Sequence, residues 1–222
     1  MNFPARENGM SQPVPYEFQN RQELIERLRD GKADIGKWFA ERKESLEDIV
    51  RHSVASNTFR AIQRLPQKPS IVFRTWASEE SMRPTFIGEL EAVRSQAEFD
   101  GWLRQFSDKL NDTWQKQMGQ AMPFGPRRKL PNLLMKEVVL WTGLSNGQRT
   151  NLIQWLHVPL DSYTLVGIRN CIENPKIPKR ATMGFVASET VYDQIQLAIR
   201  KIAAEAKVPA IYFDNLAWNS KH

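Results

Sequence analysis

Phe99, Leu103, Phe106, Leu110 and Trp114 follow one another at intervals of four, three, four and four residues. That period places five large apolar side chains on one face of a helix, which must then be buried against other helices or a sheet. The same spacing recurs elsewhere. Leu24, Ile25 and Leu28 mark one helix, and Val191, Ile195, Ala198, Ile199 and Ile202 mark a long one opened by Ser188. Trp38, Phe39, Leu46, Ile49 and Val50 mark another, whose pattern extends through Phe59 and Ile62 to Leu65 before Pro66 and Pro69 break it. Further helices are expected from about Leu130 to Gly143, over 148–156, and from Asp161. Only Ser70–Trp76 leaves a short strand or a buried coil open. No internal repeat is present. The expected fold class is all-α.

Composition narrows the class further. The 222 residues are 41% hydrophobic and 25% charged, as in ordinary globular chains. No apolar run reaches the length of a membrane span, and residues 1–20 read as an N-terminal arm without a signal peptide's apolar stretch. Residues 21–222 then form a single domain. The one cysteine, Cys171, rules out an internal disulfide and any multi-cysteine metal site, and His52, His157 and His222 lie too far apart for a local metal motif. The expectation is a cytoplasmic, monomeric protein with no cofactor, no metal and no membrane partner.

The net charge of +6 is unevenly spread. Residues 1–112 carry 17 Lys/Arg against 18 Asp/Glu, and residues 189–222 carry four of each. Residues 113–188 carry ten bases (Lys116, Arg127, Arg128, Lys129, Lys136, Arg149, Arg169, Lys176, Lys179 and Arg180) against three acids (Glu137, Asp161 and Glu173), an excess of 7. A local excess of this kind suits a polyanion, because each neutralised phosphate releases condensed counterions.

The stretch Met122-Pro-Phe-Gly-Pro-Arg-Arg-Lys-Leu-Pro-Asn-Leu-Leu-Met-Lys136 lies at the centre of that excess. It reads as the end of a helix, a tight hairpin containing Gly125, and a second helix with Pro131 in its first turn. Lys129 then stands at a helix N-terminus beside Arg127 and Arg128, where the dipole field and the two guanidiniums favour a neutral, nucleophilic amine. In Val158-Pro-Leu-Asp-Ser-Tyr-Thr164, Asp161 is a strong N-cap for the following helix. A carboxylate there also has the chemistry to stabilise developing positive charge or accept a proton.

Phe124-Gly-Pro-Arg-Arg-Lys129 followed by Val158-Pro-Leu-Asp161 resembles the helix-hairpin-helix DNA glycosylase superfamily. The separation of 161 − 129 = 32 residues is closest to its archaeal 8-oxoguanine glycosylase branch. The match covers about 120–165. The hairpin holds one glycine where the common pattern has two, and no C-terminal cysteine cluster follows, which excludes the iron–sulfur branch. The resemblance implies a two-lobed helical domain with the helix-hairpin-helix at about 99–143, bound to double-stranded DNA and so associated with the nucleoid. It further implies catalysis by Lys129 and Asp161, with DNA held by Gly125, Arg127, Arg128 and Lys136. A damaged base of the 8-oxoguanine kind would be flipped out and displaced through a lysine Schiff base, giving glycosylase and abasic-site lyase activity together.

Alternatives stay open at this level. A modified base, as in bacteriophage DNA, fits the same scaffold, and a non-catalytic helix-hairpin-helix DNA-binding protein would keep the hairpin. Lys136 is the rival nucleophile, with Glu137 or a phosphate as its expected partner otherwise. Trp218 is the candidate for the base pocket, whereas Trp38, Trp102, Trp114 and Trp141 are expected in the core. His157 is expected to be a hydrogen-bonded structural residue and Cys171 a core residue.

Overall fold

Capping residues decide where most of the helices begin. In the computed structural model, which describes residues 15–55, 58–59 and 66–218, six helices open on a side chain that accepts a hydrogen bond from a first-turn amide. These caps are Asn20, Ser45, Ser95, Ser145, Asp161 and Ser188. The eleven α-helices among the described residues run α1 (Arg21–Asp30), α2 (Lys32–Ala40), α3 (Leu46–His52), α4 (Pro69–Ser81), α5 (Phe86–Ala92) and α6 (Gln96–Met118). They continue with α7 (Phe124–Val138), α8 (Asn146–Trp155), α9 (Ser162–Ile168), α10 (Glu189–Ala206) and α11 (Tyr212–Trp218). The protein is all-α. The extended pairing among the described residues is one isolated bridge, between Lys43 and Trp141.

The expected stripe of α6 is buried along its length, from Phe99 to Trp114. It packs on α4 and α7, and Trp76 and Phe86 meet Phe106 at ring-centroid distances of 4.8 and 5.9 Å. The core therefore continues from α4 and α5 into α6 without a break. Of the tryptophans expected inside, Trp114 is fully buried, while Trp38, Trp102 and Trp141 are partly exposed against the core. A second packing group joins α1 to α10 and α11 to α9.

Three element assignments differ from expectation. Residues 70–76 belong to α4: Pro69 sits at its first position, and Val72, Phe73 and Trp76 are buried at helical spacing. The pattern from Trp38 to Val50 is two helices, and positions 60–65 lie outside the described residues. Of the N-terminal arm, residues 1–14 lie outside them too. Residues 15–20 are anchored, with Phe18 wholly buried and its carbonyl accepting from Asn170 Nδ2 at 3.2 Å. No helix among the described residues is long and apolar enough to cross a membrane.

Candidate active site

The turn between α6 and α7 starts at Gly119, whose φ of 72° closes α6 in the left-handed conformation that glycine adopts most cheaply. The chain reverses through residues 119–123 and enters α7 at Phe124. The expected hairpin around Gly125 is thus corrected. Gly125 lies in the first turn of α7, and a Cβ there would stand 2.3 Å from the Met183 carbonyl oxygen. Its smallness serves the segment laid across the helix start. Pro126 is third in the helix, where no intrahelical amide bond is lost. Pro131 falls in the interior, so the Arg127 carbonyl has no i+4 amide donor.

Lys129 is the sixth residue of α7 and stands in its second turn, so the argument from a helix terminus does not apply to it. Its position is set instead by a partner. Lys129 Nζ lies 3.0 Å from Asp161 Oδ2, with side-chain exposures of 8% and 5%. The two carboxylate oxygens of Asp161 divide their work. Oδ1 accepts from the Tyr163 and Thr164 amides at 2.9 and 3.1 Å, which starts α9, and the Thr164 hydroxyl accepts from the Asp161 amide at 2.8 Å. Oδ2 is left to face the lysine. The capping role and the charged pair coexist in one side chain, which the cap holds in a single orientation.

A second pair lies alongside. Lys136 Nζ is 2.6 Å from Asp214 Oδ2, the lysine side chain 13% exposed and the aspartate buried, and stands 4.8 Å from the Trp38 ring centroid. Lys136 therefore meets neither of its expected partners: Glu137 is taken by Lys43 at 2.5 Å, and Asp214 engages the Lys136 ammonium in place of a phosphate. Burial pushes the Asp214 carboxyl above its ordinary range, opposed by Lys136; Asp161 pushes it further up and Lys129 pulls it down. The two pairs thus feel one another's charge. Asp214 Oδ1 is buried without a hydrogen-bond partner. Positions 129, 132 and 136 share a face of α7 at helical spacing. Asn132 on that face donates to the Tyr192 hydroxyl at 2.8 Å.

From Tyr192 a buried chain of polar groups leads away from the pairs. The Tyr192 hydroxyl lies 2.7 Å from His157 Nδ1, and His157 Nε2 lies 2.6 Å from Asp100 Oδ1, which Arg200 also engages. Burial holds the imidazole below its ordinary range against the pull of Asp100. A neutral ring accepting from Tyr192 and donating to Asp100 satisfies both contacts. His157 is held on both ring nitrogens. Burial pushes the Cys171 thiol up to about 12, which leaves it a core thiol.

The arginines expected at DNA are engaged elsewhere. Arg128 is only 3% exposed, pairs with Glu189 and lies over the rings of Phe124 and Tyr192. Its assignment to phosphate is corrected, because its charge is spent inside the fold. Arg127 is partly exposed and pairs with Asp108. Lys176, Lys179 and Arg180 are exposed and form no ion pair among the described residues. They lie in the segment that brings Met183 over Gly125.

Trp218 is 46% exposed, its ring stacked on Tyr163 at 4.1 Å and 17°. It stands four residues beyond Asp214 on α11, on the same face, and Tyr163 stands two beyond Asp161. The stack therefore borders the charged cluster. Asp214, Asn132 and Tyr192 have no counterpart in the sequence reading. Asp214 carried one usable signal, its i, i+4 spacing to Trp218. Comparison of the chain with protein-family models, curated proteins and solved structures finds no match.

Proposed function

We propose that the protein is a DNA glycosylase with abasic-site lyase activity that removes an oxidised purine of the 8-oxoguanine kind from double-stranded DNA. One observation carries this reading: the Lys129 amine lies 3.0 Å from a carboxylate fixed by its own capping bonds. Two further features support it. Lys129 stands on α7, the helix that follows the turn from α6, an order compatible with a helix-hairpin-helix reading. The unpaired basic residues Lys176, Lys179 and Arg180 precede Met183, which lies against the start of the same helix, and there they would hold phosphates in place of Arg128 and Gly125.

In this mechanism the flipped nucleotide displaces the Trp218–Tyr163 stack and brings its C1′ to Lys129. Asp161 Oδ2 takes a proton from the ammonium, the freed amine attacks C1′, and the glycosidic electron pair leaves with the base, which is then protonated. The C1′–O4′ bond of that adduct then breaks, O4′ taking a proton as the sugar ring opens, which leaves a protonated Schiff base between C1′ and the lysine. Loss of a C2′ proton from it expels the 3′-phosphate. Asp214 Oδ1, buried and unpartnered, supplies the acceptor that an oxidised purine needs for its N7–H, a donor that guanine lacks.

Base release from duplexes containing 8-oxoguanine, uracil or undamaged guanine tests the proposal. The wild type should release 8-oxoguanine, and Lys129→Ala and Asp161→Asn should each lose at least about 100-fold in rate. Asp214→Asn should narrow the preference for 8-oxoguanine over guanine. Duplex binding without release of any base would support a non-catalytic DNA-binding protein instead.

A further inference from the structure

A cleft of about 360 Å³ opens between α2, α8 and the turn joining α10 to α11. It lies apart from the Lys129 cluster. Positions 32, 36, 39 and 40 line it from α2, and Trp38, edge-on to Phe39 at 4.6 Å, stands between this wall and Lys136. Its charge is one-sided. Lys32, Arg149 and Lys207 line it with no acidic side chain, and none of the three forms an ion pair among the described residues.

Two of these cations are held at a cost to the fold. Arg149 donates Nε to the Val139 carbonyl at 2.8 Å, and its Nη2 is buried with no partner. Burial, and Arg42 nearby, press that guanidinium below the ordinary arginine range. Lys207 caps α10 at a φ of 58°, the one positive-φ residue other than glycine among the described residues. Glycine is the unstrained choice at that position, so the lysine keeps a charge where the backbone would prefer none. Conflicts of this sort between local preference and sequence concentrate at binding sites.

The remaining wall is apolar. Phe39 and Tyr212 stack at 5.3 Å and 5°, with Ile153 and Pro209 beside them. Gly36 faces the Tyr212 hydroxyl, from which a Cβ there would stand 3.4 Å, ordinary van der Waals contact. Cations at the rim and rings on the wall match an anion that carries a planar group. We propose that this cleft binds a phosphate monoester bearing a flat ring, a ligand of mononucleotide size, independently of the chemistry at Lys129.

Calorimetric titration of the full chain with adenosine 5′-monophosphate, inorganic phosphate and adenosine tests the site. The nucleotide should bind more tightly than phosphate, and phosphate more tightly than adenosine. Arg149→Gln and Lys207→Gly should each weaken nucleotide binding about tenfold, as expected for one charge-assisted contact. Lys207→Gly also relieves the positive φ, so its melting temperature should not fall, which separates a lost contact from a lost fold. Nucleotide binding unchanged in both variants, or absent in the wild type, would overturn the proposal. Loss of duplex-DNA affinity in Lys207→Gly without nucleotide binding would overturn it as well, and would assign these cations to a nucleic-acid backbone. Since adenosine 5′-monophosphate binding requires no base excision, this result stands or falls separately from the glycosylase assay.

Discussion

Removing both members of the Lys129–Asp161 pair should cost less stability than the two single removals added together. At 3.0 Å, Coulomb attraction at an effective dielectric of about 20 is roughly 5–6 kcal/mol before desolvation is subtracted. Desolvation of two nearly buried charges offsets a large part of this, leaving a net coupling of about 2 kcal/mol. Lys129→Met keeps the length of the side chain but leaves the Asp161 carboxylate buried opposite a thioether. It should lower the unfolding free energy by about 3 kcal/mol. Asp161→Asn retains an oxygen that can accept from the Tyr163 and Thr164 amides, so the α9 cap survives while the ammonium loses its countercharge. The double variant should be about 2 kcal/mol more stable than the sum of the single effects requires. Urea unfolding of all four proteins at pH 7, with equal m-values, measures this coupling. It should change little with added salt, because a buried pair is screened weakly. A coupling below about 0.5 kcal/mol would show that the two groups do not meet in solution and would remove the geometric basis for catalysis by Lys129.

Other perturbations separate the remaining contacts. Gly125→Ala forces a methyl group against the Met183 carbonyl and should destabilise by about 1–3 kcal/mol in thermal unfolding; an unchanged melting temperature would show that the segment does not cover α7. Gly119→Ala meets no neighbouring atom, and its cost should be limited to about 1–2 kcal/mol for the left-handed backbone. His157 is held below the unfolded value of about 6.5. The unfolded chain therefore binds the proton first, and stability should fall as pH drops below that value, by up to about 1.4 kcal/mol per unit while the native ring stays neutral. His157→Gln should flatten the slope of chemical unfolding free energy against pH in that window. Lys179→Ala and Arg180→Ala should each weaken duplex binding and reduce its salt slope by about 1, whereas Arg128→Ala should act mainly through stability; equal salt slopes in all three would return Arg128 to the DNA surface.

The sequence carried most of what local rules control. Helical periodicity located α6 and α10, and the Ser188 and Asp161 caps marked two helix starts, because a cap and an apolar stripe act over only a few residues. Lys129 and Asp161 were found together although 32 residues apart, through a resemblance in residue order. The start of α7 was misplaced because Gly125-Pro126 has the composition of a turn. What makes it helical is non-local: the Met183 segment lies against a glycine with no side chain to displace it. The apolar run at 70–76 was ambiguous for the same reason, since only its partners on α3 and α6 decide its conformation. The basic excess was correctly located but overcounted as free surface. Arg128, Arg127 and Lys136 meet Glu189, Asp108 and Asp214, acids that lie outside the basic third and join it only in the folded chain.

Borohydride trapping on a duplex bearing one 8-oxoguanine tests Schiff-base chemistry at Lys129 most directly. Wild type and Lys136→Ala should both give a covalent protein–DNA adduct, and Lys129→Ala should give none while remaining folded. An adduct that persists in Lys129→Ala, or that disappears only in Lys136→Ala, would contradict Lys129 as the nucleophile.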